Sequence, residues 1–157
     1  FQLFAKATIS KIIVKVEGVY GQNLTNYVMI GGYGAAEDPA LVDDYSYKNI
    51  NTLSFWTEVM SNFDKFNFGL FAGYSSNLKG SGNYYSLNYD RNEELKYIYR
   101  ISPRAEYKSG KVTLILEHML TGAVYGDLDI ANDKYEFTST DKATLNHRIL
   151  LGVKYNF

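Results

Sequence analysis

The chain has 157 residues, of which 46% are hydrophobic, 16% aromatic and 21% charged, with no cysteine and a formal net charge of −1. This length suits a single domain, and the near-zero charge argues against a nucleic-acid partner. The lack of cysteine excludes a disulfide framework and a thiolate zinc site, and no apolar run approaches the roughly 18 residues of a membrane-spanning helix.

Apolar and polar residues alternate in about seven segments, as they do in β-strands whose two faces meet different surroundings. The first segment is an incomplete leading strand. In chain order the predicted strands cover residues 1–7, 11–21, 53–60, 66–75, 95–107, 112–125 and 145–157. In the clearest of them, 95–107, Tyr97, Tyr99 and Ile101 face one way, while Arg100 and Arg104 face the other. The sequence therefore predicts an all-β, antiparallel fold.

The connections between these strands alternate strictly in length. Tight turns are predicted near 8–10, at 62–65 and at 108–111, and long stretches cover 34–49, 78–92 and 127–141. A transmembrane β-barrel has short periplasmic turns at one end and longer extracellular loops at the other. We therefore predict that residues 1–157 belong to a transmembrane antiparallel up-and-down β-barrel in the bacterial outer membrane. The odd strand number and the start within a strand indicate the C-terminal portion of a larger barrel.

Aromatic residues cluster at the two ends of the predicted strands, where rings with one apolar and one wet side suit the membrane interfaces. The predicted outer girdle comprises Tyr20, Tyr74 and Tyr125, and the predicted inner girdle comprises Phe63, Phe66, Tyr107, Tyr155 and Phe157.

In such a barrel the apolar set of residues faces lipid and the alternate set faces the lumen. The alternate set includes Glu58, and the candidate pore-lining residues are Lys15, Glu17, Lys96, Arg100, Arg104, Glu106, Glu117, Arg148 and Lys154. Ten charges would be costly in a dry core, which favours a water-filled interior.

A two-residue turn at Ser109-Gly110 would fix the register of the sixth strand against the fifth. It places Glu117 diagonally between Arg100 and Arg104. Arginine forks bind carboxylate or phosphate, so this ladder predicts a pathway for anionic solutes. The alternative is that arginine and glutamate neutralise each other and stiffen the wall.

The sequence offers no catalytic grouping, so we expect no enzyme activity and no cofactor. His118 and His147 fall at outward parity and are expected to be surface residues rather than metal ligands. Asp127, Asp129 and Asp133 lack the glutamate and glycine of a known calcium loop, so a solvated acidic loop is expected there.

The C-terminus carries Gly152, Tyr155 and a final Phe157. This spacing resembles the terminal-strand signal of bacterial outer-membrane proteins, which the barrel assembly machinery reads. Leu150 departs from it, because a polar residue is usual at that position.

Five further segments carry a resemblance to a family of porins. They are 18–23, Gly-Val-Tyr-Gly-Gln-Asn; 31–33, Gly-Gly-Tyr; 69–74, Gly-Leu-Phe-Ala-Gly-Tyr, with Asn77 and Leu78; 97–104, Tyr-Ile-Tyr-Arg-Ile-Ser-Pro-Arg; and 121–126, Thr-Gly-Ala-Val-Tyr-Gly. In these segments the chain resembles the C-terminal part of Bacteroidetes outer-membrane porins of the DcaP-like type. The resemblance implies a homotrimeric, roughly sixteen-stranded diffusion porin in a Gram-negative bacterium. It also implies passage of negatively charged small molecules such as dicarboxylates, and an N-terminal part of the barrel that is missing or carried by another chain.

The leading hypothesis is thus a channel for passive diffusion of small hydrophilic solutes, with a preference for anions. Its competitor is a small structural or adhesive outer-membrane barrel, whose lumen is plugged by salt bridges and whose extracellular loops bind a partner.

Overall fold

A computed structural model describes residues 1–35, 47–78, 86–90, 94–129, 136–137, 139 and 142–157. The strands are β1 Gln2–Ile9, β2 Ile12–Gln22, β3 Gly32–Ala35, β4 Tyr47–Asn49, β5 Asn51–Ser61, β6 Phe66–Asn77, β7 Ser86–Asp90, β8 Leu95–Ser109, β9 Val112–Tyr125, β10 Leu128–Asp129, β11 Glu136–Phe137 and β12 Thr144–Tyr155. A 3-10 turn at Leu24–Tyr27 lies between β2 and β3. Over the described ranges, no helix is long and apolar enough to cross a membrane.

The main sheet contains seven strands in the order β1-β2-β5-β6-β8-β9-β12, each antiparallel to its neighbours. These are the seven segments that alternation predicts, so the all-β prediction is confirmed. The long connections hold short strands that alternation did not reveal. Strands β4, β3 and β7 form a second sheet, and β10 pairs with β11. With two to five residues each, they are too short for a period of two to be recognised.

The connections at one end of the main sheet are tight turns and those at the other end are long, as predicted. The tight turns follow β1, β5 and β8, and the long connections follow β2, β6 and β9.

One predicted turn is displaced by a residue. Ser109 pairs with Val112, so Gly110 and Lys111 are the central residues of the β8–β9 turn. Gly110 has φ 57°, the left-handed region that the first position of a type II′ turn requires. The predicted pairing of Lys108 with Lys111 is wrong, and Lys108 pairs with Thr113 instead. The pairs from Tyr97 to Ser109 shift by two residues along β9, which leaves each of these side chains on its predicted face. Leu95 shifts by one residue, because the register is irregular between Leu95 and Tyr97.

Strands β1 and β12 are the two edges of the main sheet. In an antiparallel series the first and seventh strands run in the same direction, so both start at the end with the long connections. Among the described residues no strand pairs with the outer edge of either, and the sheet is open between them.

The two faces of the main sheet differ completely in charge. Every charged residue of its seven strands lies on one side, which we call the polar face: Lys6, Lys15, Glu17, Glu58, Lys96, Arg100, Arg104, Glu106, Lys108, Glu117, Arg148 and Lys154. The opposite side, which we call the apolar face, has no charged residue in these strands.

Burial along the main sheet is the reverse of that in an ordinary soluble domain. On the apolar face, Phe55, Leu70 and Leu116 are 53%, 49% and 49% exposed. On the polar face, Asn67 and Ser102 are only 2% and 3% exposed. Among the described elements none packs on the apolar face as a second layer, although Ser76 and Val124, near the long connections, are only 7% and 4% exposed. This exposed surface, spread over all seven strands, is unlike that of a monomeric soluble protein, whose apolar patches rarely exceed a few hundred Å².

Candidate functional site: the polar face of the sheet

All nine candidate pore-lining residues lie together on the polar face. Strand β8 supplies Lys96, Arg100, Arg104 and Glu106, and the others come from β2, β9 and β12. Sequence analysis missed Lys6 and Lys108. Lys6 pairs directly with Lys15. The alternation of polar residues along β1 could have placed Lys6 on this face from the sequence.

Glu58, on β5, forms ion pairs with residues on two other strands of the polar face. Its Oε2 atom lies 2.6 Å from Lys15 Nζ on β2, and its Oε1 atom accepts a hydrogen bond of 3.0 Å from Arg104 Nη2 on β8. The Glu58 side chain is 16% exposed, so both contacts are shielded from bulk water. Charge-assisted hydrogen bonds of this kind are roughly twice as strong as neutral ones.

The contact between Arg104 and Glu58 passes over a glycine of the intervening strand. Strand β6 lies between β5 and β8, and Gly69 stands opposite Arg104. A Cβ atom at Gly69 would lie 3.2 Å from Met60 Cγ and 3.6 Å from Arg104 Nε. Because Gly69 has no side chain, the guanidinium group can cross β6 and reach Glu58 on β5.

Arg104 is surrounded by carboxylates. Besides Glu58, its Nε atom lies 3.3 Å from Glu106 Oε1 and its Nη1 atom lies 4.0 Å from Glu117 Oε2. Glu117 pairs directly with Arg104 rather than lying diagonally between Arg100 and Arg104, so the predicted two-arginine ladder is wrong in its geometry. The charge of Arg104 is balanced by glutamates of the same sheet.

Arg100 has different surroundings from Arg104. Its side chain is exposed, its Nε atom donates a hydrogen bond of 3.1 Å to Thr121 Oγ1, and it has no ion pair among the described residues. It borders a cavity of about 200 Å³ that is also lined by Trp56, Phe71 and Gly73. The guanidinium group is therefore available to a solute at a shallow, partly aromatic pocket.

The aromatic side of this pocket is a stack of two rings. Trp56 and Phe71 have centroids 5.9 Å apart and planes inclined by 30°, and Phe4 lies 6.1 Å from Trp56. A Cβ atom on Gly73 would come within 3.0 Å of the Phe71 ring, so the ring occupies the space that this glycine leaves. Sequence analysis did not single out these rings, although their alternation already places them at polar-face positions.

Glu17 lies on the far side of Trp56 from Arg100. Its Oε2 atom accepts a hydrogen bond of 3.1 Å from Trp56 Nε1, and its Oε1 atom accepts one from the Gln2 amide. Both donors are neutral, and Glu17 has no cationic partner in the described part of the chain. No ion pair among these residues therefore offsets its carboxylate.

The polar face as a whole carries an excess of positive charge, because eight of its charged residues are lysine or arginine and four are glutamate. Such an excess raises the local concentration of anions.

The two histidines of the chain meet on the apolar face. His118 Nε2 lies 3.1 Å from His147 Nδ1, and the rings stack with an interplanar angle of 13°. Within the described ranges no three metal-binding side chains come together. Asp133 lies outside the described residues.

Aromatic residues that are predicted to form two girdles lie at the two ends of the sheet. At the end with tight turns, Phe66 packs against Tyr107 with centroids 4.9 Å apart. At the other end Tyr20 and Tyr74 lie on the apolar face, but Tyr125 alternates onto the polar-face side. Tyr125 is therefore not part of an apolar-face girdle.

The proposed assembly-signal residues lie on and just beyond β12. Gly152 is opposite Ile115, whose Cβ atom is 3.6 Å from the place of a glycine Cβ. Tyr155 and Phe157 meet edge to face with centroids 5.3 Å apart.

The chain matches no protein-family model, no curated protein and no solved structure.

Proposed function

We propose that this chain forms part of the wall of a transmembrane β-barrel in the outer membrane of a Gram-negative bacterium. The barrel is a passive channel for small hydrophilic solutes and prefers anions. The observation that carries this proposal is the complete segregation of charge, since all charged residues of seven strands share one face, and most large apolar residues of the other face are exposed. Lipid would cover the apolar face, and the polar face would line water.

The direction of the edge strands supports a barrel larger than this sheet. Strands β1 and β12 run in the same direction, so pairing them with each other would make a parallel contact in an otherwise antiparallel sheet. An odd number of further strands between them closes the barrel with antiparallel pairs throughout. The resemblance to DcaP-like porins of Bacteroidetes belongs to the same proposal, as do the homotrimer and the reading of Gly152, Tyr155 and Phe157 by the barrel assembly machinery.

A structural or adhesive barrel is the second candidate. The ion pairs of Arg104 with three glutamates favour it, because such pairs stiffen a wall without serving a solute. The sheet formed by β4, β3 and β7 in the long connections also favours it, since it gives the loops an ordered surface for a partner.

Conductance in planar lipid bilayers tests the channel. We expect the intact protein to give ohmic steps of porin size, and a protein that inserts but stays silent would refute the channel and favour the adhesive barrel.

Reversal potentials under a salt gradient test the preference for anions. The double substitution Arg100→Ala with Arg104→Ala should shift the reversal potential toward cation preference. Lys65→Ala, which removes a cation from the β5–β6 turn, is the control. An unchanged reversal potential in the double variant would refute the role of these arginines.

A further inference from the structure

Four residues of the polar face form a row whose order is set by strand pairing. Glu17 pairs with Trp56, Trp56 with Gly73, and Gly73 with Arg100. Adjacent strands lie about 4.8 Å apart, so the Cα atoms of Glu17 and Arg100 are about 14 Å apart. The row has a carboxylate at one end, a guanidinium group at the other and aromatic surface between them.

The two end charges of this row are not neutralised by each other or by neighbours. Glu17 accepts hydrogen bonds from two neutral groups, and Arg100 donates to one hydroxyl group. Arg104, by contrast, has three carboxylates around it. An unpaired anion and an unpaired cation at a fixed separation are complementary to a solute with both charges in the opposite order.

The middle of the row suits an apolar side chain. The Phe71 ring lies over Gly73 and stacks on Trp56, beside the cavity of about 200 Å³ that Arg100 borders. This volume lies below the roughly 300–1,000 Å³ of a pocket that encloses a whole ligand. It is suited to one side chain of a solute whose ends extend beyond it.

The length of the row favours a short peptide over smaller zwitterions. An extended peptide spans about 3.3–3.6 Å per residue, so two or three residues cover about 7–11 Å. Side chains stand roughly perpendicular to a sheet, so the charged groups of Glu17 and Arg100 are about as far apart as their Cα atoms. With a hydrogen bond of about 3 Å at each end, a peptide of two or three residues matches this distance. A single amino acid is too short, and a dicarboxylate leaves Glu17 facing a like charge.

We propose that Glu17, Trp56, Phe71 and Arg100 form a subsite for zwitterionic peptides of two or three residues with an apolar side chain. Glu17 binds the peptide ammonium group, Arg100 binds the terminal carboxylate, and the ring stack receives the side chain. This inference rests on the proposed function, because the channel supplies the water-filled face on which the subsite lies.

Block of single-channel current by a set of four peptides tests the subsite. The parent is alanylphenylalanine. Its N-acetyl derivative lacks the cation, its amide lacks the anion, and alanylalanine lacks the ring. With the intact wild-type protein in planar bilayers, we expect the parent to half-block the current at a concentration at least tenfold below that of each other peptide.

Substitutions then assign each contact to its residue. Glu17→Gln should remove the difference between the parent and its N-acetyl derivative, and Arg100→Gln should remove the difference between the parent and its amide. Phe71→Leu should remove the difference in half-blocking concentration between the parent and alanylalanine. The matched control Asp64→Asn, in the β5–β6 turn, should leave all four concentrations unchanged. Half-blocking concentrations within threefold of one another in the wild type would overturn the subsite, as would an unchanged pattern in both charge variants.

Fluorescence separates failure of the subsite from failure of the channel. Trp56 is the single tryptophan of the 157 residues, so a change of its emission on peptide addition that is lost in the double variant Glu17→Gln with Arg100→Gln reports binding at the subsite. A protein that gives no conductance but still shows this emission change would refute the channel and support the subsite. A protein that gives ohmic conductance, but neither block by the peptides nor a change of emission, would support the channel and refute the subsite.

Discussion

Replacing Leu116 by arginine tests the assignment of the two faces directly. Leu116 lies on the apolar face and is 49% exposed. It is four residues beyond Val112, the first residue of β9, so it lies about 13 Å along the strand and, at a tilt near 40°, about 10 Å above the turn end. In an apolar band about 25 Å tall this is near the midplane, where an arginine facing lipid costs about 2–4 kcal/mol.

The matched control is Ile115→Arg, one residue away on the polar face. Ile115 pairs with Glu106 and Gly152, so a new guanidinium group there faces water and lies beside a carboxylate. We expect its effect on the free energy of unfolding to stay within about 1 kcal/mol.

Urea unfolding of the intact protein in phospholipid vesicles, followed by tryptophan emission, measures both variants. The expected loss for Leu116→Arg corresponds to a factor of about 30–1,000 in the unfolding equilibrium constant. Equal losses for the two variants, or a larger loss for Ile115→Arg, would show that the two faces do not meet lipid and water as proposed.

Three further changes test the internal contacts. Gly69→Val should lower the free energy of unfolding in the same vesicle assay by about 1–3 kcal/mol, since the new side chain displaces Arg104 from its path across β6; an unchanged urea midpoint contradicts this. Glu58→Gln should shift the reversal potential further toward anions, because it removes the carboxylate shared by Lys15 and Arg104, and a shift toward cations would refute this role. Gly110→Ala should cost about 1 kcal/mol in urea unfolding because of the positive φ of the β8–β9 turn, and a stabilised variant would exclude the type II′ geometry.

The seven main strands could be predicted from the sequence because alternation is a local property with a period of two. The faces of Arg100, Arg104 and Glu117 could be predicted for the same reason, since a register shift of two residues moves a side chain along its face but never through the sheet. The set of polar-face residues is therefore predicted correctly even though the turn is assigned one residue away from its position.

The ion-pair partners of those residues depend on strand register and on distances across strands, which alternation does not determine. Whether Glu117 opposes Arg104 or lies beside it is decided by which turn position Gly110 occupies, and both placements fit the same hydrophobic pattern. The contact of Glu58 with Arg104 joins residues 46 positions apart and crosses an intervening strand beside Gly69. The sequence by itself thus determined the strands and the division of charge between two faces. The tertiary structure alone decided that Arg104 is balanced by glutamates of the same sheet while Arg100 and Glu17 have no ion pair among the described residues, because ion pairing depends on distances across strands that a periodic pattern leaves open.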